Sequence, residues 1–392
     1  MPLAQLPPMG WNSWNTFGWQ INEQLIFEMA DLMASQGYRE AGYEYLVIDD
    51  CWSLRERGKD GRIVPDPEKF PHGMKAVADY VHSKGLKFGM YSCAGSLTCA
   101  RYPGSYDHEF TDAKCFAEWG VDYLKYDFCF HPYATFGHIL YKRMSLALAN
   151  SGRDIVFAAC SWGAENTKTW IKETGAHTWR STGDVFDSWE SIKTLATEQM
   201  QVLEYNGNGC FNDMDMLVVG MNGEGNVGLT GGTRDEYRTH FAFWAMMGSP
   251  LIIGCDLRKA DDEALAILKN KGIIEIDQDE AYRQPFFLNE YRDYRRTRGV
   301  NDPLYERYDL DRPVMARFLS NGDIALAAFN FTDSRGTTDA TIDALGIGEC
   351  TGKTIELTNL WTGEVTKIKN GLFMVDLDPH ECVIYRAKVV DL

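Results

Sequence analysis

The sequence contains no long apolar run and no run of basic residues. A membrane-spanning helix needs about 18 or more consecutive apolar residues, and no such stretch occurs. The 56 acidic residues outnumber the 39 lysines and arginines, which gives a net charge of −17. Because so acidic a surface repels phosphate backbones and anionic lipids, nucleic acids and membranes are not expected as partners.

Paired metal ligands are also missing. The ten cysteines form no CxxC pair, and the eight histidines show no ligand spacing at the predicted strand ends. Structural zinc sites depend on such pairs. We therefore expect no catalytic or structural metal and mostly buried, free thiols.

The first ten residues lack the charged start and apolar core of a secretion signal. This absence predicts a cytoplasmic protein, or a secreted protein whose signal has been removed. The assembly state is left open, with a homo-oligomer as one option.

Eight short apolar runs alternate with helical patterns over roughly the first 260 residues, the size of a (β/α)8 barrel. A doubly wound open sheet is the alternative, but it usually carries a glycine-rich phosphate loop after its first strand, and this chain has none. The sequence therefore predicts a TIM barrel. The runs are 9–12, 45–48, 86–91, 123–126, 155–159, 178–180, 209–212 and 250–253.

The pattern changes after about residue 290, where a polar segment, 290–296, precedes several short β-like runs. Turn signals such as Asn321-Gly322 and Asn370-Gly371 separate these runs. We predict a catalytic barrel over residues 1–292 and a C-terminal antiparallel β-sandwich over 293–392.

Charged side chains follow most of the predicted barrel strands. Lys125 and Asp127 are two residues apart in a strand, so both point to the same side. A single acid at a strand end could simply cap the next helix, but capping gives no reason for Lys125 or Arg180. Because TIM-barrel active sites lie at the carboxyl ends of the strands, these groups are expected to share one site.

Several acids, one lysine, one arginine and several tryptophans suit a polyol. Carboxylates accept hydrogen bonds from hydroxyls, cations donate to them, and an aromatic face covers the apolar side of a sugar. Two carboxylates with different roles then suggest glycoside hydrolysis. A sugar-binding barrel without catalysis and a metal-dependent barrel hydrolase are the alternatives.

The motifs are similar to those of glycoside hydrolase family 27, which contains α-galactosidases and α-N-acetylgalactosaminidases. The resemblance extends over nearly the whole chain and implies a barrel, a C-terminal β-sandwich, no cofactor, an oligosaccharide or glycoconjugate substrate, and retention of anomeric configuration. The motifs that carry it are PMGWNSW (8–14), IDDCW (48–52), GMY (89–91), YPGS (102–105), LKYDxC (124–129), WRxxxD (179–184) and NDxDML (212–217).

By this resemblance Asp127 is the nucleophile, and Asp184, four residues after Arg180, is the general acid/base. We expect Lys125 and nearby donors to keep the pKa of Asp127 low, and the pKa of Asp184 to be raised. The resemblance also implies a Cys99–Cys129 disulfide, although a reducing cytoplasm would favour thiols. The implied sugar-binding residues are Trp14, Asp49, Asp50, Tyr91, Lys125, Ser161, Ala164, Arg180, Asp215 and Met216.

The chain departs from the family pattern at four positions. Phe128 and Met214 replace a small or amide residue and a proline, but neither change removes a charged group. Ser161 and Ala164 stand where α-galactosidases of the family typically carry larger side chains, and they resemble the pair of the N-acetylgalactosaminidases. Because an acetamido group needs room, we expect a preference for α-N-acetylgalactosaminides.

A plain α-galactosidase is the alternative. A β-L-arabinopyranosidase is a weaker one, because Asp49 and Asp50 resemble the pair that grips the 4- and 6-hydroxyls of a galacto-configured sugar.

Overall fold

The structure is a computed structural model that describes residues 3–207, 209–289 and 309–392. The predicted domain boundary between residues 292 and 293 and the polar segment 290–296 lie outside the described residues. By internal contacts the chain divides into two compact units. The first comprises Met1–Ser188, Gly207–Gly231 and Pro250–Leu265, and the second comprises Trp189–Asn206, Gly232–Ser249 and Ala266–Leu392.

The first unit contains a closed sheet of eight parallel strands in the order β10-β1-β2-β3-β4-β5-β6-β8. Leu217, just after β8, pairs in parallel with Ile253 of β10, and its N–H donates to the Ile252 carbonyl at 2.7 Å, which joins the two ends of the sheet. The predicted barrel is confirmed. The eight barrel strands are β1 (Met9–Asn12), β2 (Tyr45–Val47), β3 (Lys87–Cys93), β4 (Tyr123–Asp127), β5 (Val156–Cys160), β6 (Thr178–Arg180), β8 (Phe211–Asp213) and β10 (Leu251–Ile253). A separate two-stranded sheet is formed by β7 (Asp187–Ser188) and β9 (Gly228–Gly231).

The barrel strands approach one another closely and are almost wholly buried. Tyr45, Tyr123 and Val156 belong to an apolar cluster within the barrel. A Cβ added at Gly10 would lie 2.3 Å from the Tyr45 carbonyl oxygen, so only glycine permits this contact between β1 and β2.

Ten α-helices occur in the described residues. Asn22 caps the second, where its side chain accepts from the Leu25 N–H at 2.9 Å, and none of the ten is long and apolar enough to cross a membrane. They are α1 (Trp14–Phe17), α2 (Glu23–Ser35), α3 (Gly73–Ser83), α4 (Glu109–Trp119), α5 (Gly137–Ala149), α6 (Ile171–Thr174), α7 (Trp189–Gln199), α8 (Arg234–Met247), α9 (Asp262–Leu268) and α10 (Lys271–Asp277).

The second unit contains a six-stranded antiparallel sheet, β11-β12-β13-β18-β15-β16, and a two-stranded sheet, β14-β17. Leu326, Ile355 and Phe373 belong to its apolar core. The predicted C-terminal antiparallel domain is confirmed, although β11 and β14 were not predicted. The strands are β11 (Phe286–Phe287), β12 (Val314–Phe318), β13 (Ile324–Phe329), β14 (Gly336–Thr341), β15 (Lys353–Asn359), β16 (Val365–Lys367), β17 (Leu372–Leu377) and β18 (Cys382–Asp391).

Candidate active site

A cavity of about 450 Å³ lies within the first unit and is lined by residues at or near the carboxyl ends of its strands. Its volume falls in the usual range for small-molecule sites. Both predicted catalytic residues and eight of the ten predicted binding residues line it, whereas Ser161 and Ala164 do not. The lining residues are Trp14, Asn15, Asp49, Asp50, Tyr91, Cys99, Lys125, Asp127, Trp162, Arg180, Asp184, Asp215, Met216 and Val227.

Asp127 ends β4 and is only 6% exposed. Its Oδ2 accepts from Tyr91 Oη at 3.1 Å and its Oδ1 from the Phe128 N–H at 2.9 Å. Burial raises the pKa of Asp127 to about 6, against the opposing charge of Lys125. The expectation of a low pKa for this carboxyl was wrong, because desolvation outweighs the lysine.

Lys125 forms its ion pair with Asp49, which follows β2. Lys125 Nζ lies 2.7 Å from Asp49 Oδ2, and Asn12 Nδ2 donates to the same oxygen at 2.8 Å. Burial lowers the pKa of Lys125, but the charges of Asp49 and Asp127 outweigh burial and hold that pKa well above its ordinary value. Lys125 therefore stays charged beside Asp49, and its charge also acts on Asp127.

Asp50 is held by two main-chain donors, one to each carboxylate oxygen. Its Oδ1 accepts from the Cys51 N–H at 2.7 Å and its Oδ2 from the Ala100 N–H at 2.9 Å. Burial nevertheless raises the pKa of Asp50 above its ordinary value. Asp49 and Asp50 are thus fixed side by side, in a position to bind hydroxyls.

Arg180, the last residue of β6, connects two further carboxylates. Its Nη2 lies 3.0 Å from Asp184 Oδ1 and its Nη1 lies 3.0 Å from Asp215 Oδ1. The Asp215 side chain is buried, and burial raises the pKa of Asp215 to about 6 despite Arg180.

Asp184 differs from the other acids in the cavity because its side chain is 61% exposed. Desolvation by the surrounding cavity wall raises the pKa of Asp184, but the charges of Arg180 and Lys125 and the hydrogen bond from Arg180 outweigh this effect, so the pKa is lowered. The prediction of a raised pKa for Asp184 is contradicted in this form of the protein.

The loop after β5 presents a different side chain to the cavity from those expected. Ser161 is fully buried, and its Oγ lies 2.6 Å from Thr167 Oγ1, which donates to the Ala164 carbonyl at 2.6 Å. Trp162 lines the cavity instead, with a φ of 54° that is unusual for a bulky residue. Sequence reasoning missed Trp162 as a lining residue because strand alternation does not apply to this left-handed segment.

The Cys99–Cys129 disulfide is formed. Its sulfurs and a carboxylate oxygen of Asp127 all lie within 4.8 Å of one another, the only such cluster of metal-ligand types found within the described residues. Sulfurs joined in a disulfide offer no thiolate to a metal ion. Because Cys99 lines the cavity, the disulfide forms part of the wall beside Asp127.

The comparisons with known proteins agree with this geometry. The family model described as "Alpha galactosidase A" matches residues 6–279, and that of the "Alpha galactosidase C-terminal beta sandwich domain" matches residues 310–387. The barrel, its acidic cavity and these matches define a glycoside hydrolase. The chain belongs to the α-galactosidase family, glycoside hydrolase family 27.

Relatives and solved structures match over almost the whole chain. The chain is 41% identical to the α-galactosidase of Cyamopsis tetragonoloba over 98% of this chain and 86% of that protein. It is 42% identical to the α-galactosidase of Coffea arabica, over 98% and 94%. The crystal structure of α-galactosidase I from Mortierella vinacea superimposes with a TM-score of 0.85 at 31% identity, over 98% and 97% of the two chains.

Proposed function

We propose that this protein is an exo-acting α-galactosidase that hydrolyses terminal α-D-galactosides with retention of configuration. The observation that carries the proposal is that Asp127 and Asp184 line one cavity in contrasting environments. Asp127 is buried at the end of β4, whereas the Asp184 side chain is 61% exposed. A buried carboxylate suits attack on the sugar, and an exposed one suits exchange of protons with a departing aglycone and an entering water.

The reaction proceeds by double displacement. Asp127 attacks the anomeric carbon while protonated Asp184 gives its proton to the glycosidic oxygen, so that bond breaks and an Asp127–galactosyl ester forms. Asp184 then removes a proton from water, which attacks the anomeric carbon and releases Asp127. Two inversions restore the α configuration.

The first step needs a single proton on the pair Asp127 and Asp184, and the second step needs Asp184 ionised so that it can take a proton from water. Because the pKa of Asp127 is about 6 and that of Asp184 is lowered, the one-proton state persists up to about pH 6, with the proton mostly on Asp127. The form with the proton on Asp184 is the minor, reactive one. Such a pair shows two macroscopic pKa values that belong to both residues together.

The lining of the cavity favours galactose over N-acetylgalactosamine. The Ser161 hydroxyl is engaged by Thr167, and the β5 loop contributes the bulky Trp162 to the cavity. Two relatives with about two fifths of their residues in common with this chain are named α-galactosidases. α-N-Acetylgalactosaminidase is the second candidate, because Ser161 and Ala164 resemble the residue pair of those enzymes.

The test compares kcat/KM for p-nitrophenyl α-galactoside, its 2-acetamido analogue and p-nitrophenyl β-L-arabinopyranoside, with the product anomer followed by NMR. We expect the galactoside to be preferred over the acetamido analogue by more than about 10-fold, the scale of a packing contact. Equal or faster hydrolysis of the acetamido analogue would establish the second candidate instead. Release of β-galactose as the first product from the α-galactoside would exclude double displacement.

A further inference from the structure

We propose that Asp213 is a positioning residue for the general acid/base Asp184, and that it acts through Asp215. The inference rests on the proposed function, because it takes Asp184 as the acid/base. Asp213 ends β8 and does not line the substrate cavity. It lines a second cavity, of about 350 Å³, which shares Lys125, Arg180, Asp215 and Met216 with the first.

The first step is the hold that Asp213 has on the backbone of Asp215. Asp213 Oδ1 accepts from the Asp215 N–H at 2.8 Å. Asp215 has a φ of 82°, in the left-handed region that residues other than glycine rarely adopt. The hydrogen bond to Asp213 stabilises this disfavoured conformation and so fixes the direction of the Asp215 side chain.

The second step is what the Asp215 carboxylate does in that direction. Its Oδ1 lies 3.0 Å from Arg180 Nη1 and accepts from the Met216 N–H at 2.8 Å. Its Oδ2 accepts from the N–H of Val185 at 2.7 Å. Asp215 thus binds both the guanidinium that pairs with Asp184 and the peptide that follows Asp184.

The third step is the dependence of Asp184 on those two contacts. Its exposed side chain is held by Arg180 Nη2 at 3.0 Å, and the same nitrogen donates to the Gly183 carbonyl at 2.7 Å. If Asp215 turned away, Arg180 and the Val185 peptide would lose a shared anchor. The carboxyl of Asp184 would then no longer be fixed against the glycosidic oxygen.

The test is how strongly the loss of activity depends on the leaving group. The alkoxide of an alkyl α-galactoside needs a proton from Asp184 before it can leave. The leaving group of 2,4-dinitrophenyl α-galactoside departs as a stable phenolate and needs no proton. In Asp213→Ala we expect kcat/KM to fall by roughly 100-fold on methyl α-galactoside, the cost of a small misplacement of a catalytic group. On the dinitrophenyl substrate the fall should stay below about 10-fold, because Asp127 keeps its place.

Two further variants keep the test decisive. In Asp213→Asn the amide oxygen can still accept from the Asp215 N–H. The ratio of kcat/KM on the two substrates should therefore match that of the wild type. Asp256→Ala removes another buried carboxylate at a strand end, one that pairs with Arg258, and should lower both rates equally. If Asp213→Ala is too unstable to assay, Asp213→Asn decides alone: selective loss on the methyl galactoside would overturn the positioning role.

Asp184→Asn separates this inference from the function on which it rests. One outcome is that Asp184→Asn loses activity selectively on the alkyl substrate while Asp213→Ala affects both substrates to the same extent or affects neither. In that case Asp213 has no positioning role and the mechanism stands. If Asp184→Asn shows no selectivity, the assignment of Asp184 is wrong and the inference fails with it.

Discussion

Lys125 Nζ lies 2.7 Å from Asp49 Oδ2, so the cation contributed by β4 is bonded to the carboxylate that follows β2. The side chain of Lys125 is 15% exposed and that of Asp49 only 2%. The lysine therefore has two effects. It neutralises a buried acid of the sugar site, and its charge lowers the pKa of Asp127 through space.

Replacing Lys125 with methionine should weaken both the fold and the activity. Breaking a buried ion pair by removing one partner costs about 3–5 kcal/mol of stability, because the buried Asp49 carboxylate would lose the cation that pairs with it. We predict that thermal or urea unfolding of Lys125→Met shows a loss in this range, with a lower kcat/KM. The matched control is Lys87→Met, which breaks an exposed pair with Glu44 and should cost about 0–1 kcal/mol. Equal losses would show that the Lys125–Asp49 pair is not special.

Asp127 and Asp184 should respond differently to substitution by asparagine. Asp127→Asn should abolish turnover of all galactosides, since no nucleophile remains. Asp184→Asn should lose activity on alkyl galactosides by about 100- to 10,000-fold, the usual contribution of a general acid.

Azide distinguishes the two variants because it attacks the galactosyl ester without needing a base. We expect azide to raise kcat of Asp184→Asn on the dinitrophenyl substrate and to yield galactosyl azide, with no effect on Asp127→Asn. Matching circular dichroism spectra would establish that both variants fold. If azide restored activity to Asp127→Asn and gave α-galactosyl azide, the assignment of Asp127 as nucleophile and Asp184 as acid/base would be contradicted.

The pH dependence follows from the raised pKa of Asp127. In Asp184→Asn the general acid/base no longer titrates, and the ionised form of Asp127 is the nucleophile. With the dinitrophenyl galactoside, kcat/KM of this variant should therefore rise with pH and level off above about 6, the pKa that burial gives Asp127.

With an alkyl galactoside, kcat/KM of the wild type should change with pH in the opposite direction. Above about pH 6 the pair loses its one proton, so kcat/KM should fall. A midpoint near the ordinary value for aspartate in the Asp184→Asn profile would show that Lys125, and not burial, governs Asp127.

The sequence predicted the barrel because each apolar run ends in polar residues and helical patterns separate the runs. All eight runs became barrel strands, with boundaries shifted by at most two residues at either end. β14 escaped prediction because Gly336–Thr341 contains one apolar residue, Ala340. Its pairing with β17 is a tertiary contact that no local pattern encodes.

The site could be predicted as a set of residues but not as a set of protonation states. Strand ends brought Asp49, Lys125 and Asp127 together as expected. The directions of the pKa shifts depend on burial and on the Arg180 pair, which are properties of the folded chain. The Ser161 hydroxyl was expected to face the sugar, but it is bonded to Thr167, in a loop whose backbone is left-handed at Trp162 and Gly163.

Asp277 in the second unit should make the stability of the protein fall as the pH rises. It ends α10 and is fully buried. Its Oδ1 has no hydrogen-bond partner among residues 3–207, 209–289 and 309–392, while Gln278 donates to its Oδ2 at 2.6 Å. Burial raises the pKa of Asp277 to about 8, although Gln278 and Arg317 oppose it. The folded pKa therefore lies well above the unfolded value of 3.8.

Folding consequently takes up a proton at Asp277 between these two values. The stability that this proton confers is complete below the unfolded pKa and is lost as the pH rises toward 8, by up to about 1.4 kcal/mol per pH unit. Asp277→Asn removes the titration. Its unfolding free energy should match the wild type near pH 4 and exceed it by a growing margin toward pH 8.

Asp279→Asn is the matched control with the opposite sign. Burial raises the pKa of Asp279, but hydrogen bonds from Ser320 and Ala281 outweigh burial and lower it, so the charged form stabilises the fold. This variant should be less stable than the wild type above about pH 4, and the difference should shrink as the pH falls through the lowered pKa. The measurement is urea unfolding at pH 4, 6 and 8, with a further point at about pH 3 for Asp279→Asn, below the ordinary pKa of aspartate. A difference between Asp277→Asn and the wild type that stays constant across these three values would mean that Asp277 is not protonated in the folded protein.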